Sequence, residues 1–300
     1  NRHFIMSKHT VSPPETTNHR LMSRMQHAFG TWIEVTLFAP GDLATNGLQA
    51  AHAAIQDIHL QTCPLNPESD LNRVNLYAWR RPVSVSPSTY RLLALARHIA
   101  RKSDGLFDFT HGGDLVKEGQ LPDHGFRNLD GAHAWDRVEL LPRLRIRLKR
   151  PLVLNLADIA RGFAVDAAVH AMLRHGITRG RVNAGSELRL FGTGATPIVV
   201  HESGGTTSTI GAWSNTAIAT SAGGLSSKDQ ARIPACMLVA GDCDGAACPH
   251  FRQCPRAWTV MAAEAWRADA LTKVAARAPD AGRAARIARL GGQLIARNAR

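Results

Sequence analysis

From Thr31 to Phe38 polar and apolar positions roughly alternate, with Ile33, Val35 and Leu37 on one side and Glu34 and Thr36 on the other. That two-residue repeat predicts a half-buried strand, and Ala39-Pro40-Gly41-Asp42 then reads as a turn. The Ala-rich run from Leu43 to Leu60 sets Ile55, Ile58 and His59 at helical intervals and predicts a helix that Pro64 and Pro67 end. Ser69 to Leu76 reads as a connecting segment and Val83 to Val85 as a brief extended stretch. Ser86 followed by Pro87 offers an N-cap with proline at the first helical position. Leu92, Leu93, Leu95, Ala96, Ile99 and Ala100 supply the apolar stripe of the helix that follows, and Asp104-Gly105 stops it.

The second half continues the same mixture. Gly112 to Trp135 has little periodicity and is expected to be loop. Val138 to Leu148 and Leu152 to Leu156 look like a hairpin joined near Arg150-Pro151. Asp158 to Gly176 carries Ile159, Phe163, Ala164, Ala167, Ala168, Ala171, Met172 and Leu173 in helical register, which makes it the clearest helix of the chain. Strands are expected near Gly180 to Asn183, Glu187 to Gly192, Pro197 to Val200, Thr216 to Thr220 and Trp258 to Ala262. Asp269 to Ala276 and Asp280 to Ala296 have helical composition. No fixed repeat is present, and the tally is an α+β fold with antiparallel strands. Residues 1–24 are polar, with Pro13-Pro14, and read as a flexible lead-in to a single domain over residues 25–300.

A chain of 300 residues with 44% hydrophobic content can bury a substantial core. The net charge of +12 is spread along the chain. Its densest stretch, Arg143, Arg145, Arg147, Lys149 and Arg150, alternates like a solvated strand face. Aromatic residues, the stacking partners of single-strand binders, make up 6%. Nucleic acid is therefore not the expected partner. No run reaches the roughly 18 apolar residues of a spanning helix, and Asn1 to His19 has no signal-like apolar core. The chain as written thus reads as unexported and cytoplasmic. Cys236, Cys243, Cys248 and Cys254 surround His250, but none is paired at the close spacing of zinc ligands.

Two segments carry candidate chemistry. Asn155 to Asp166 runs from a strand into an amphipathic helix, whose free amides and positive dipole end favour a phosphate. Arg161 adds a cation there and Gly162 permits close approach, while the bland alternative is a helix capped by Asp158. In Arg267 to Ala275, Asp269 and Thr272 share one helical face, and hard oxygen donors of this kind suit magnesium. An ordinary capped helix remains the alternative.

Taken together, several segments resemble one family. Phe29-Gly30-Thr31 resembles the "MGT" start of the ApbE-type FAD:protein FMN transferases. Ser69 to Asn75 resembles "SELSRFN", and Pro82 to Ser86 resembles "PVPVS". Gly105 to Thr110 resembles "GAFDPT", and residues 155–166 resemble "DLGGIAKGYAVD". Val182 to Arg189 is similar to "VNAGGELR", Ala217 to Ser221 to "AVATS", and Ala268 to Leu271 to the start of "ADALAT".

The resemblance implies an ApbE-like (T-fold-like) domain with FAD in a cleft between two lobes and Mg2+ at its pyrophosphate. It implies transfer of FMN from FAD to a Thr or Ser hydroxyl of an acceptor flavoprotein, with release of AMP. It also implies the family's usual periplasmic or membrane-anchored setting, with peripheral association with membrane redox proteins. Carried over by position, the cofactor contacts are Phe29, Leu65, Leu106, Phe107, Asp108, Asn155 and Arg161. The metal donors are the Asp158 carbonyl, the Asp269 carboxylate and the Thr272-Lys273 step.

Five of these positions depart from the family. Phe29 stands for Met, Leu65 for Tyr, Asn155 for Asp, Arg161 for Lys, and Lys273 for the metal-binding Thr. The "SHIIDPRTG" loop has no counterpart between Ala222 and Ala262, where His250 is the histidine at hand. A non-catalytic, flavin-nucleotide-binding or partner-binding relative is the alternative that these departures favour.

Overall fold

The computed structural model describes residues 20–126, 129, 133–201, 207–222, 238–240 and 257–295. Strand β1 (Arg20–Ala28) opens upstream of Met25, so residues 20–24 of the expected lead-in are strand; residues 1–19 lie outside the described set. It pairs with β2 (Thr31–Ala39) across Phe29 and Gly30, whose φ values of 53° and 72° form a tight turn in the left-handed region. On β2 the alternation places Ile33, Val35 and Leu37 wholly inside.

Helix α1 (Gly41–Thr62) follows as expected. Asp70–Tyr77, expected as a connection, is helix α2, capped by the Ser69 side chain accepting from the Asn72 amide. The strand β3 (Val83–Ser84) leads to α3 (Pro87–Lys102), with Ser86 as N-cap and Pro87 at its first position. The stretch expected as loop begins with a short helix α4 (Gly112–Lys117).

The expected hairpin is displaced. Its strands are β4 (Val138–Leu141) and β5 (Arg145–Leu148), and its turn holds Arg143 and Leu144 at φ of 60° and 55°. Residues 152–156 form no strand of that hairpin. Asn155 N–H donates to the Phe109 carbonyl (2.8 Å), Gly112 N–H donates to the Val153 carbonyl (3.0 Å), and Leu154 N–H donates to Asn75 Oδ1 (2.8 Å).

Helix α5 (Ala157–Arg174), strands β6 (Gly180–Asn183), β7 (Glu187–Phe191), β8 (Thr196–His201), β9 (Thr207–Trp213), β10 (Ala217–Ala222), β11 (Leu238–Ala240) and β12 (Ala257–Ala262) come next, β9 and β11 without a sequence expectation. Helix α6 (Ala265–Arg277) begins before Asp269. The last stretch, expected to be helical, is instead helix α7 (Arg283–Arg289) and a strand β13 (Gly292–Ile295).

The main sheet has the order β1-β2-β6-β7-β10-β12-β13, and β11-β8-β9 and β3-β5-β4 form smaller sheets. Every described pairing is antiparallel, so the expected α+β class holds.

Two large apolar cores result. One gathers β2, α1 and the later turns of α5, and the other gathers α2, α3, β5 and the first turns of α5. Helices α5 and α6 contribute to both: Ile159, Phe163 and Leu271 face the core of α2, α3 and β5, while Val169, Met172 and Ala268 face that of β2 and α1. A helix apolar on most sides belongs at such a centre. The α5 junction with α6 and β7 gathers buried charged groups of all three elements, Asp166, Asp269 and Glu187.

Candidate functional site

The charged junction begins with two carboxylates exchanged between α5 and α6. Asp269 of α6 is 1% exposed and accepts a hydrogen bond from the Gly162 amide of α5 at 3.2 Å. Reciprocally, Asp166 of α5 accepts from the Ala265 (3.0 Å) and Trp266 (2.9 Å) amides at the start of α6. The helices are close enough that a Cβ on Gly162 would lie 2.5 Å from the Ala265 carbonyl oxygen. Gly162 therefore permits a close approach, but of α6 rather than of a ligand.

Arg161 points from α5 to β7. Its guanidinium donates to Ser186 Oγ (2.9 Å) and Glu187 Oε1 (3.0 Å), and its Nε is ion-paired with Glu187 Oε2. Glu187 is buried at 2% side-chain exposure, so the pair is compensated rather than solvated. Burial alone would ease Arg161 towards neutrality, and the charges of Glu187 and Asp269 outweigh it. For Asp269, burial first and the Glu187 charge second raise the proton affinity well above the ordinary carboxylate range, against Lys273 and Arg161.

Asp158, in the first turn of α5, lies 3.6 Å from the Lys273 ammonium, which also donates to Ser221 Oγ on β10 at 2.9 Å. Thr272 is buried and its hydroxyl donates to the Asp269 carbonyl of its own helix at 2.7 Å. Asp158, Asp269 and the Thr272-Lys273 step are thus brought together, but not as a set of metal donors. The Thr272 hydroxyl is turned into the helix and a cation already sits beside Asp158. Among the described residues, no group of three or more His, Cys, Asp or Glu side chains is placed to hold a metal ion. The donors present do not fit a divalent ion.

The other expected contacts divide into two sets. Asn155 lies just before α5, its Oδ1 accepting from the Ala157 amide (3.1 Å) and its amide nitrogen 3.5 Å from His111 Nε2. Asp108 is buried, and its carboxylate accepts from the Thr110 hydroxyl (2.6 Å), the Thr110 amide (2.8 Å) and the His133 amide (2.9 Å). Burial alone would raise Asp108, but these donors prevail and hold it below its ordinary value. Phe107 is fully buried and stacks on Phe109 at 6.5 Å between ring centres, so its side chain is core. The Leu106 carbonyl accepts from Arg277 at 3.0 Å.

Phe29 sits in the β1–β2 turn against His59, its ring 4.9 Å from the imidazole and its amide donating to Nδ1 at 3.3 Å. Leu65 is 75% exposed in the turn after α1. A groove of about 770 Å³ lies among α1, α3, α5 and α6, lined in part by Arg91, Phe163, Asp166, His170 and Trp266. It and two smaller cavities are lined by none of the expected contact residues.

Sequence reasoning left Glu187, Ser186, Ser221 and Asp166 without roles. A usable signal existed for one of them: Asp166 is an acid on the apolar face of α5. The cysteine cluster and His250 lie outside the described residues.

An antiparallel seven-stranded sheet, two cores divided by α5 and α6, and a charged junction at the start of α5 define a class of fold. The chain belongs to the ApbE family, which matches residues 29–232. Its fold is similar to that of the ApbE protein of Thermotoga maritima, at 20% identity and a TM-score of 0.71 over 92% of this chain and 93% of that one. It is also similar to the apo flavinyl transferase ApbE of Pseudomonas stutzeri (16%, TM-score 0.65, 89% and 87%). The flavin transferase ApbE of Vibrio cholerae is another such match (16%, TM-score 0.66, 91% and 90%). No curated protein matches the sequence. Among the described residues no helix is long and apolar enough to cross a membrane.

Proposed function

We propose that the chain transfers FMN from FAD to a Thr or Ser hydroxyl of an acceptor protein. The observation that carries this reading is the α5–α6 junction, where Asp269 meets the Gly162 amide, in a chain that belongs to the ApbE family over residues 29–232. The diphosphate of FAD lies at the first turn of α5, where the helix dipole is positive and Lys273 supplies a cation on the rim. The flavin side extends along Asn155, His111 and the Asp108 turn, with Phe29 of the β1–β2 turn and the exposed Leu65 as further contacts.

In the reaction, the acceptor oxygen bonds to the FMN-side phosphorus and loses its proton. The phosphorus–oxygen bond to the AMP moiety breaks, and AMP leaves as a phosphate monoester. The residues of this chain hold the diphosphate in line and neutralise the charge that grows on its oxygens. The acceptor is a flavoprotein, in keeping with association with membrane redox partners.

A second reading is a non-catalytic flavin-nucleotide binder. It is favoured by Arg161, whose guanidinium is committed to Ser186 and Glu187. One assay separates the two: the chain is incubated with FAD and a Thr-bearing acceptor peptide, with and without Mg2+. A covalently fluorescent peptide together with equimolar AMP supports transfer. Retained FAD with neither product supports the second reading, and no FAD retention sinks both.

A further inference from the structure

Lys273 lies one helical turn beyond Asp269, so the two side chains share a face of α6. Two elements meet its ammonium, β10 through Ser221 Oγ at 2.9 Å and α5 through Asp158 Oδ1 at 3.6 Å, and its charge also acts against the rise in the proton affinity of Asp269. An ammonium carries three donors, and the described partners engage two. The side chains of Lys273 and Asp158 remain 20% and 26% exposed, so the cation is reachable from outside. A divalent ion added between Asp158 and Asp269 would meet this fixed charge at close range, with Arg161 behind it. The one neighbouring hydroxyl on α6, Thr272, is directed to the Asp269 carbonyl instead.

We propose that the Lys273 ammonium is a resident cation that takes the place of a divalent ion at the α5–α6 junction, so that the chain binds the diphosphate of FAD without added metal. Its nucleotide half rests on the flavin reading above; its cation half does not.

Two measurements on the full chain test it. Manganese alone is titrated and followed by electron paramagnetic resonance, and FAD binding is followed by fluorescence in EDTA and in Mg2+. The native chain is expected to show no stoichiometric Mn2+ site and an FAD dissociation constant that differs by less than about twofold between the two buffers. Lys273→Thr is expected to gain about one Mn2+ site and to lose FAD affinity about tenfold in EDTA, with recovery in Mg2+. Lys273→Arg, which keeps the charge, is expected to exclude Mn2+ as the native chain does.

A tight Mn2+ site in the native chain, or FAD binding that needs Mg2+, overturns the proposal. So does a folded Lys273→Thr chain with no Mn2+ site. If Lys273→Thr does not fold, the native and Lys273→Arg titrations decide. Failure of the native chain to bind FAD in either buffer overturns the nucleotide half and the flavin reading together, while the Mn2+ comparison still decides the cation half.

Discussion

Glu187 and Arg161 show what a buried charge requires of its neighbours. The carboxylate is 2% exposed and engages the guanidinium through both oxygens, with Ser186 Oγ donating to Oε1 at 2.7 Å. Removing one partner leaves the other desolvated, which costs about 3–5 kcal/mol for fully buried pairs. Because Arg161 keeps 23% exposure and can recover water, Glu187→Ala should cost nearer 2 kcal/mol. A double-mutant cycle with Arg161→Ala, read by urea unfolding, should return a coupling of at least about 1 kcal/mol. Additive losses would mean that the contact adds nothing.

Asp166 makes a different residue-scale prediction. Burial pushes its carboxyl up to about 6, against the two α6 amides and Arg189, with Glu264 adding to the rise. The folded value lies above that of an unfolded aspartate, so its stabilisation is full below about pH 4 and is lost as the pH rises through about 6. The difference amounts to roughly 3 kcal/mol. Thermal melts from pH 4 to 7 should show this decline in the native chain and a smaller one in Asp166→Asn, since buried Asp269 adds a loss of the same sign; an unchanged slope in the variant would assign the decline to other groups.

At the scale of elements, the α5–α6 contact decides the sign of a helix substitution. Gly to Ala inside a solvated helix gains up to about 1 kcal/mol from propensity. At Gly162 the new Cβ would lie 2.5 Å from the Ala265 carbonyl oxygen and 2.9 Å from Trp266 Cα, both backbone atoms that cannot turn aside. Gly162→Ala should therefore destabilise by about 1–3 kcal/mol and lower the melting temperature, whereas a rise would show that the helices separate without cost. The sequence signalled this glycine only as a place for a ligand.

Other elements were legible where the pattern was local. Strand β2, helix α3 with its Ser86-Pro87 start, and helix α5 all follow from periodicity and caps. The β4–β5 turn was not legible, because Arg143 and Leu144 take left-handed φ values without glycine or asparagine to announce it. Strand β13 was hidden by Ala-Arg composition. Its signal is Gly291-Gly292, the first at φ 82° and the second with Leu271 Cδ1 2.6 Å from where a Cβ would sit. At the site, the family resemblance rather than any spacing brought Asp158, Asp269 and Lys273 into one neighbourhood, and the structure places them together. The resemblance did not foresee that Glu187, distant in sequence, would take the guanidinium of Arg161.

Across the whole molecule, the position of α5 and α6 sets how the chain unfolds. The two cores could in principle melt separately, as happens in chains of this size with independent domains. Here the same two helices supply apolar side chains to both, and the Asp166 and Asp269 contacts tie those helices to each other. Losing either core strips α5 of half its partners, so the remaining core cannot stand at its native stability. Ile33→Ala in one core and Leu93→Ala in the other, both wholly buried positions, should each cost about 2–5 kcal/mol. Both variants should shift one common transition. Tryptophan fluorescence reports mainly on the core that holds Trp266 and packs against Trp79, Trp135 and Trp258, and far-ultraviolet circular dichroism reports on both. The two probes should therefore give coincident curves in the native chain and in each variant. A variant in which fluorescence and dichroism separate would show that the wall between the cores does not couple them, and the charged junction at the start of α5 would then belong to one folding unit alone.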